Sequence, residues 1–109
     1  MVARIVYCER TKNSSNMQVI QKNGAKHGTF IATNGDDVIG EMTYQWSGDN
    51  HLIINYTEVL DSYQGQGIGK KMVEKAVEYA RENHCTIFPQ CGYVRGVFDR
   101  CPEFDDVRS

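Results

Sequence analysis

One short stretch, residues 63–71, constrains this chain more than any other because it places three glycines between two patterned segments. Gly65, Gly67 and Gly69 alternate there. The preceding run, residues 52–60, is apolar and rich in strand-forming residues, and the following segment repeats apolar residues at helical spacing. The order strand, glycine loop, helix is typical of sites that bind phosphate, since glycine allows close approach and the first amides of a helix are unpaired.

Two common phosphate-binding signatures do not fit this loop. The loop of nucleotide hydrolases requires a glycine where Gln64 stands and Ser or Thr where Lys71 stands. The dinucleotide fingerprint requires its third glycine where Lys70 stands. The spacing alone therefore leaves open both another kind of diphosphate loop and a plain tight turn before a helix.

Length and charge limit the class of protein. The chain has 109 residues, from which we expect one domain spanning 1–109. Its net charge of −2 shows no basic excess for nucleic acid or an anionic membrane surface. No apolar run approaches the roughly 20 residues that span a bilayer, and residues 1–8 do not resemble a secretory signal. We expect a cytoplasmic protein.

The cysteines predict no metal site. Cys8, Cys85, Cys91 and Cys101 form no Cys-x-x-Cys pair, and the three histidines are scattered. In a reducing compartment we expect free thiols, with structural roles for Cys8, Cys85 and Cys101.

The first half of the chain predicts an antiparallel meander. Strands are expected over 17–22, 27–32, 38–46 and 52–59, separated by turn signals such as Asn34-Gly35. Residues 1–8 are predicted as a short strand or a loosely docked tail, and residues 10–16 as a loop. Alternation in the third strand predicts that one face is shared by Val38, Gly40, Met42, Tyr44 and Trp46.

The second half changes period. A helix is predicted over 68–84, then a short buried strand over 85–88 that lies parallel to the strand before the loop, since a helical crossover joins them. A second helix is predicted over 91–101, followed by an acidic tail anchored by Phe104 and Val107. The predicted fold class is α+β, an antiparallel meander followed by β-loop-α-β-α.

This order, together with Gln64-Gly65-Gln66-Gly67-Ile68-Gly69, resembles the GNAT superfamily of acyl-CoA-dependent N-acyltransferases. Their diphosphate loop has Gln or Arg, two residues, Gly, one residue, and Gly or Ala. The chain is most similar to the small, single-domain, GNAT-like acetyl-CoA-binding branch. Tyr56-Thr57-Glu58-Val59 resembles its His-Thr-x-Val, and Pro89-x-Cys91-x-Tyr93 resembles its Pro-x-Cys-Pro followed by Phe or Tyr. The end of the chain, residues 102–107, resembles its Pro-Glu-Tyr-x-Asp followed by Leu or Ile, so the resemblance covers residues 17–109.

Two positions depart from the pattern of that branch. Tyr56 stands where the family has His, which puts any acid–base role of that His in doubt. Gly92 stands where the family has Pro, from which we expect a looser start to the last helix.

The resemblance implies acetyl-CoA as the ligand. Its diphosphate would lie on the amides of residues 66–70, and its pantetheine arm would lie between two separating strands, bound by the backbone around Glu58. The implied coenzyme-binding residues are Thr57, Val59, Gln64, Gly65, Gln66, Gly67, Ile68, Gly69 and Lys70.

The resemblance also implies transfer of the acetyl group to an amine of unidentified structure, either a small molecule or a protein. Glu58 is the candidate base, although strand alternation could instead direct it to solvent. Tyr93 is the candidate proton donor to the departing thiolate, or else a core aromatic. Cys91 is a candidate nucleophile or a residue that lines the pocket.

Two other classes of protein stay open from the sequence. One is a module that binds acetyl-CoA without turnover, since so short a chain has little left to build an acceptor pocket. The other is a small β-rich domain in which the glycine loop is a plain turn and no coenzyme binds.

Overall fold

The computed structural model describes residues 17–109, so the predictions for residues 1–8 and 10–16, and for Cys8, lie outside it. Its strands are β1 (Met17–Asn23), β2 (His27–Asn34), β3 (Asp37–Trp46), β4 (His51–Val59) and β5 (Thr86–Pro89). Its α-helices are α1 (Ile68–Asn83) and α2 (Gly92–Arg100). Two 3₁₀ segments, Asp61–Tyr63 and Pro102–Val107, follow β4 and α2.

The strands form one sheet in the order β1-β2-β3-β4-β5. The first three pairings are antiparallel, and β5 pairs with β4 in parallel after the crossover through α1. The predicted α+β class, the meander and the parallel strand are therefore confirmed. The predicted boundaries of every described strand and helix agree with the structure to within two residues.

A bulge in β3 overturns one detail of the prediction. Thr33 pairs with Val38 and Ala32 pairs with Gly40, so Ile39 is an extra residue on its strand. One extra residue reverses the direction of the side chains before it. Ile39 is consequently buried and Val38 is 57% exposed, and the prediction that Val38 shares the core face with Gly40 is wrong.

The core lies between the sheet and the helices. The apolar stripe of α1 is fully buried, and its members are Ile68, Met72, Val73, Ala76, Val77 and Ala80. Burying a large aliphatic side chain stabilises a fold by about 1.5–3 kcal/mol, so this stripe is enough to hold the amphipathic helix on the sheet. Phe104 and Val107 are also buried, which confirms them as anchors of the C-terminal segment.

A second irregularity determines where the sheet opens. Thr43 pairs with Tyr56 and Tyr44 pairs with Ile54, so Asn55 is an extra residue in β4. The pairing of β5 with β4 reaches Ile54 and goes no further. Beyond this bulge, β4 continues beside β3 while the chain after β5 leaves the sheet.

Candidate functional site

The gap between β4 and β5 begins at Ile54. The amides of Gln90 and Cys91 both donate to the Ile54 carbonyl, each at 3.0 Å, and this turns the chain away into α2. Residues 56–59 of β4 pair with β3 on one side only. One edge of β4 is thus left open toward α2, as expected for strands that separate around a ligand.

A cleft of about 380 Å³ occupies this gap. That volume lies in the usual range for a small-molecule site, about 300–1,000 Å³. The cleft is lined by Thr57, Glu58, Val59, Asp61, Tyr63, Gln64, Gly65, Gly67, Ile68, Gly69 and Tyr93. It therefore joins the open edge of β4, the glycine loop, the start of α1 and the start of α2.

Most of the residues predicted for the site meet in this cleft. The exceptions are Gln66, Lys70 and Cys91, which do not line it. A second and more open depression, of about 450 Å³, lies at the β1–β2 turn and contains none of the predicted site residues. Volume alone would favour that depression, but the cleft has the unpaired amides and the open strand edge.

The glycine loop has the backbone geometry of an anion site. Gly65 and Gly67 have φ angles of 83° and 78°, in the left-handed region that favours glycine. Gly67 caps α1 without help from a side chain, and its carbonyl accepts from the Lys71 amide at 3.0 Å. The amides of residues 68–70, which precede Lys71 in the helix, have no carbonyl within the helix to pair with. The first two of these residues line the cleft.

Gln64 stabilises the loop itself. Its side-chain amide donates to the Val59 carbonyl and to Asp61 Oδ1, both at 3.4 Å. These weak bonds connect the loop to the end of β4. Gln64, which the resemblance assigns to coenzyme binding, therefore also stabilises the turn.

Tyr93, at the start of α2, reaches across the cleft to α1. Its side chain is 47% exposed and lies against the α-carbon of Gly69. An exposure of 47% does not fit the alternative of a core aromatic. The role of proton donor to the departing thiolate stays a prediction.

Cys91 lies behind the cleft at the beginning of α2. Burial raises the pKa of its thiol, but hydrogen bonds from the amide of Val94, from the hydroxyl of Thr57 and from the amides of Tyr93 and Thr57 outweigh burial and lower the pKa. The buried Thr57 hydroxyl lies beside this thiol, but its contact there is not a well-formed hydrogen bond, and it has no other partner in the described chain. A thiolate is a far better acceptor than a thiol, so ionisation of Cys91 would satisfy that hydroxyl.

Glu58 lines the cleft and is exposed. Tyr56 donates its hydroxyl proton to Glu58 Oε1 at 2.8 Å. This hydrogen bond to a carboxylate is the main reason that the pKa of Tyr56 is raised. Tyr56 is 47% exposed and does not line the cleft; its hydroxyl is linked to the site by the hydrogen bond to Glu58.

Two residues of the cleft were not predicted as site residues. Asp61 and Tyr63 belong to the 3₁₀ turn between β4 and the loop. Tyr63 is held in place by a hydrogen bond from the Asn34 side-chain amide to its hydroxyl, at 2.9 Å. The sequence has no signal for this contact, since Asn34 lies at the far end of β2.

Three further observations concern metal ions, cysteines and membrane-spanning helices. Within residues 17–109, no cluster of three or more His, Cys, Asp or Glu is arranged to hold a metal ion. Cys85, Cys91 and Cys101 are free thiols. Over the same residues, no helix combines the length and apolar character that a membrane crossing requires.

Comparison with known proteins decides the family. The model of the GCN5-related N-acetyltransferase family matches residues 29–107. The chain belongs to this family. The match includes the loop, the open edge of β4 and the start of α2. A search of curated protein sequences gives no significant match.

Solved structures support the GCN5-related fold. The NMR structure of a GCN5-like protein from Staphylococcus aureus is 30% identical, with a TM-score of 0.67, and the match covers 87% of this chain and 90% of that one. The IAA acetyltransferase from Bacillus cereus is 25% identical, with a TM-score of 0.56, and the match covers 70% of this chain and 54% of that enzyme.

A third structure is similar in fold alone. The aminoglycoside acetyltransferase from an uncultured soil metagenomic sample is 22% identical, with a TM-score of 0.58 and 77% of this chain covered. The matched region spans 57% of that enzyme. This GCN5-related chain therefore matches little more than half of such larger enzymes.

Proposed function

We propose that this protein is an acetyl-CoA-dependent N-acetyltransferase. The observation that carries the proposal is one continuous cleft, which runs from the unpaired amides at the start of α1 to the open edge of β4. A coenzyme with a diphosphate, a flexible arm and a thioester needs these two features in this order. Membership of the GCN5-related family and the acetyltransferases of similar fold support this choice.

The diphosphate would bind to the backbone amides of the glycine loop and of the first turn of α1. The positive end of the helix dipole favours an anion there, and the left-handed glycines keep side chains out of its path. Lys70 and Lys71 are exposed beside this turn and form no ion pair with another described residue. They would add positive charge without being required for the fold.

The reaction requires a neutral amine, since an ammonium ion has no electron pair with which to attack. Among the predicted catalytic residues, Glu58 is the acidic one, and it lines the cleft and is exposed to solvent. We therefore assign to Glu58 the role of the base that removes a proton from the acceptor amine. The amine nitrogen then bonds to the thioester carbonyl carbon and the carbon–sulfur bond breaks. Tyr93, across the cleft from β4, would return a proton to the leaving thiolate.

Cys91 offers a second route to the same product. Its lowered pKa increases the thiolate fraction, and the thiolate could take the acetyl group before the amine does. The thiol lies behind the cleft lining, next to Thr57. We therefore place direct attack by the amine first and keep the acetyl-Cys91 route as the alternative.

The first test measures binding and turnover separately. Calorimetry with coenzyme A tests the cleft, and acetyl-CoA consumption against a panel of small amines and lysine peptides tests the reaction. Heat of binding together with transfer to at least one amine supports the proposal. Binding without transfer to any acceptor indicates the non-catalytic acetyl-CoA module, and absence of binding at millimolar coenzyme contradicts both.

The second test distinguishes the two routes. After incubation with acetyl-CoA and no amine, mass analysis should find acetylated Cys91 only if the covalent route operates. Cys101→Ser is the matched control, since Cys101 is buried near α2 and is a free thiol outside the cleft.

The cytoplasmic location expected from the sequence stays a prediction, and fractionation of the natural host would test it.

A further inference from the structure

The third glycine of the loop has a different role from the first two. Gly69 lies in the first turn of α1 and is buried, and its φ is not in the left-handed region. Alanine is intrinsically the better residue at such a helical position. The family's loop motif also accepts Ala at the corresponding place. The backbone of α1 therefore gives no reason for glycine here.

The reason lies in the contact with Tyr93. A Cβ atom added at Gly69 would overlap the hydroxyl oxygen of Tyr93 and two carbon atoms of its ring. These are the three nearest atoms, and all of them belong to Tyr93. The phenol thus occupies the space that any side chain at position 69 would need.

We infer that Gly69 is a positioning residue, which holds the Tyr93 hydroxyl against the first turn of α1. The inference rests on the proposed function, in which Tyr93 delivers a proton to the departing thiolate. In this position over Gly69, the Tyr93 hydroxyl lies at the wall of the cleft, where the glycine loop meets α2. The loop therefore has two functions: Gly65 and Gly67 shape the turn, and Gly69 places a side chain of another helix.

Contact alone holds the Tyr93 ring in this position. Its hydroxyl makes no hydrogen bond with any residue of the described chain, and nearly half of the side chain is exposed. The ring can therefore rotate outward when a methyl group is introduced beneath it. Alanine at position 69 should displace Tyr93 toward solvent and leave the core intact.

The test compares Gly69→Ala, Tyr93→Phe and the double variant with Gly96→Ala as the matched control. Gly96 is a glycine within α2, and its added Cβ would meet only the end of the flexible Arg100 side chain, at 3.2 Å. We expect an unchanged or higher melting temperature for Gly69→Ala and unchanged coenzyme binding. Its kcat should fall about 100-fold, the lower end of what a positioned proton donor contributes, with little change in KM.

The double variant tests whether Gly69 affects the reaction through Tyr93. If Gly69 acts through Tyr93, the double variant should be no slower than Tyr93→Phe alone, because both changes remove the same proton donor. Gly96→Ala should retain wild-type kcat. Full activity of Gly69→Ala, or multiplied losses in the double variant, would overturn the inference. So would a loss of coenzyme binding together with a lower melting temperature.

A readout that does not depend on turnover separates this inference from the proposed function. Nuclear Overhauser contacts between the Tyr93 ring protons and the Gly69 α-protons should be present in the wild-type protein. The ring contacts should disappear in Gly69→Ala and persist in Gly96→Ala. Absence of the contact in the wild type refutes the placement, whereas its presence in a protein that transfers no acetyl group refutes the proposed reaction alone.

Discussion

Substitution of Gly67 by Glu should abolish coenzyme binding at a modest cost in stability. Gly67 has φ 78°, and an added Cβ would meet no atom within 4 Å, so the change introduces backbone strain without a steric clash. A residue with a side chain pays about 1–2 kcal/mol in this region. For a chain of this size, that lowers the melting temperature by about 4–16 °C.

Gly48 provides a matched control. It has φ 79° in the β3–β4 turn, and its added Cβ would also meet nothing within 4 Å. Gly48→Glu therefore introduces the same strain and the same charge away from the cleft. At position 67 the new carboxylate lies at the helix N-terminus, which favours it by about 0.3–1 kcal/mol. We expect Gly67→Glu to be slightly the more stable of the two.

The assay is thermal denaturation with and without coenzyme A. At a concentration 100 times the dissociation constant, a ligand that binds only the folded state stabilises it by about 2.7 kcal/mol, or about 10–20 °C in melting temperature. The wild type and Gly48→Glu should show this shift, and Gly67→Glu should not. Gly67→Gln, with the same strain and no charge, should retain part of it. A full shift in Gly67→Glu would show that the diphosphate does not bind at this loop.

Three further measurements test other parts of the structure. Alkylation of Cys91 by iodoacetamide should reach half its maximal rate at a lower pH than for an ordinary thiol, because the pKa of Cys91 is lowered. The Thr57→Val variant should raise that half-maximal pH. Mass analysis of peptides from samples alkylated at different pH values measures both. The hydrogen bond from Arg81 lowers the pKa of Asp106, so the carboxylate contributes stability above its unfolded-state pKa and loses it as the pH falls through the folded-state pKa. Asp106→Asn should therefore lower the melting temperature near neutral pH but not in strong acid, and a difference that persists in acid would contradict this. His84 ends α1 with φ 57°, so His84→Gly should raise the free energy of unfolding in urea by about 1 kcal/mol, whereas a decrease would contradict the left-handed cap.

Local pattern accounts for much of the fold. The period of two in β1 to β4 and the helical period in α1 come from neighbouring residues, and short turns leave an antiparallel meander as the simple way to pair the strands. The buried anchors Phe104 and Val107 were predictable for the same reason. The loop was recognisable because glycines between a strand and a helix form a local signal.

The bulges were not predictable, because a bulge is a property of two paired strands. Whether Val38 or Ile39 enters the core depends on how β3 aligns with β2. The extra Asn55 in β4 depends similarly on β3, and it accompanies the point where β5 leaves the sheet. The cleft results from that separation, and no sequence period in β4 marks it.

Local residue patterns were enough to predict the strand and helix types, their order, and a glycine loop that exposes helical amides. Which distant groups meet at that loop depends on the packing of the whole fold. Thr57 lies beside the Cys91 thiol, Tyr63 accepts a hydrogen bond from Asn34, and Tyr93 occupies the space that Gly69 leaves free. These contacts join residues far apart in the chain, and their geometry depends on how the sheet and the helices pack rather than on any local run of residues.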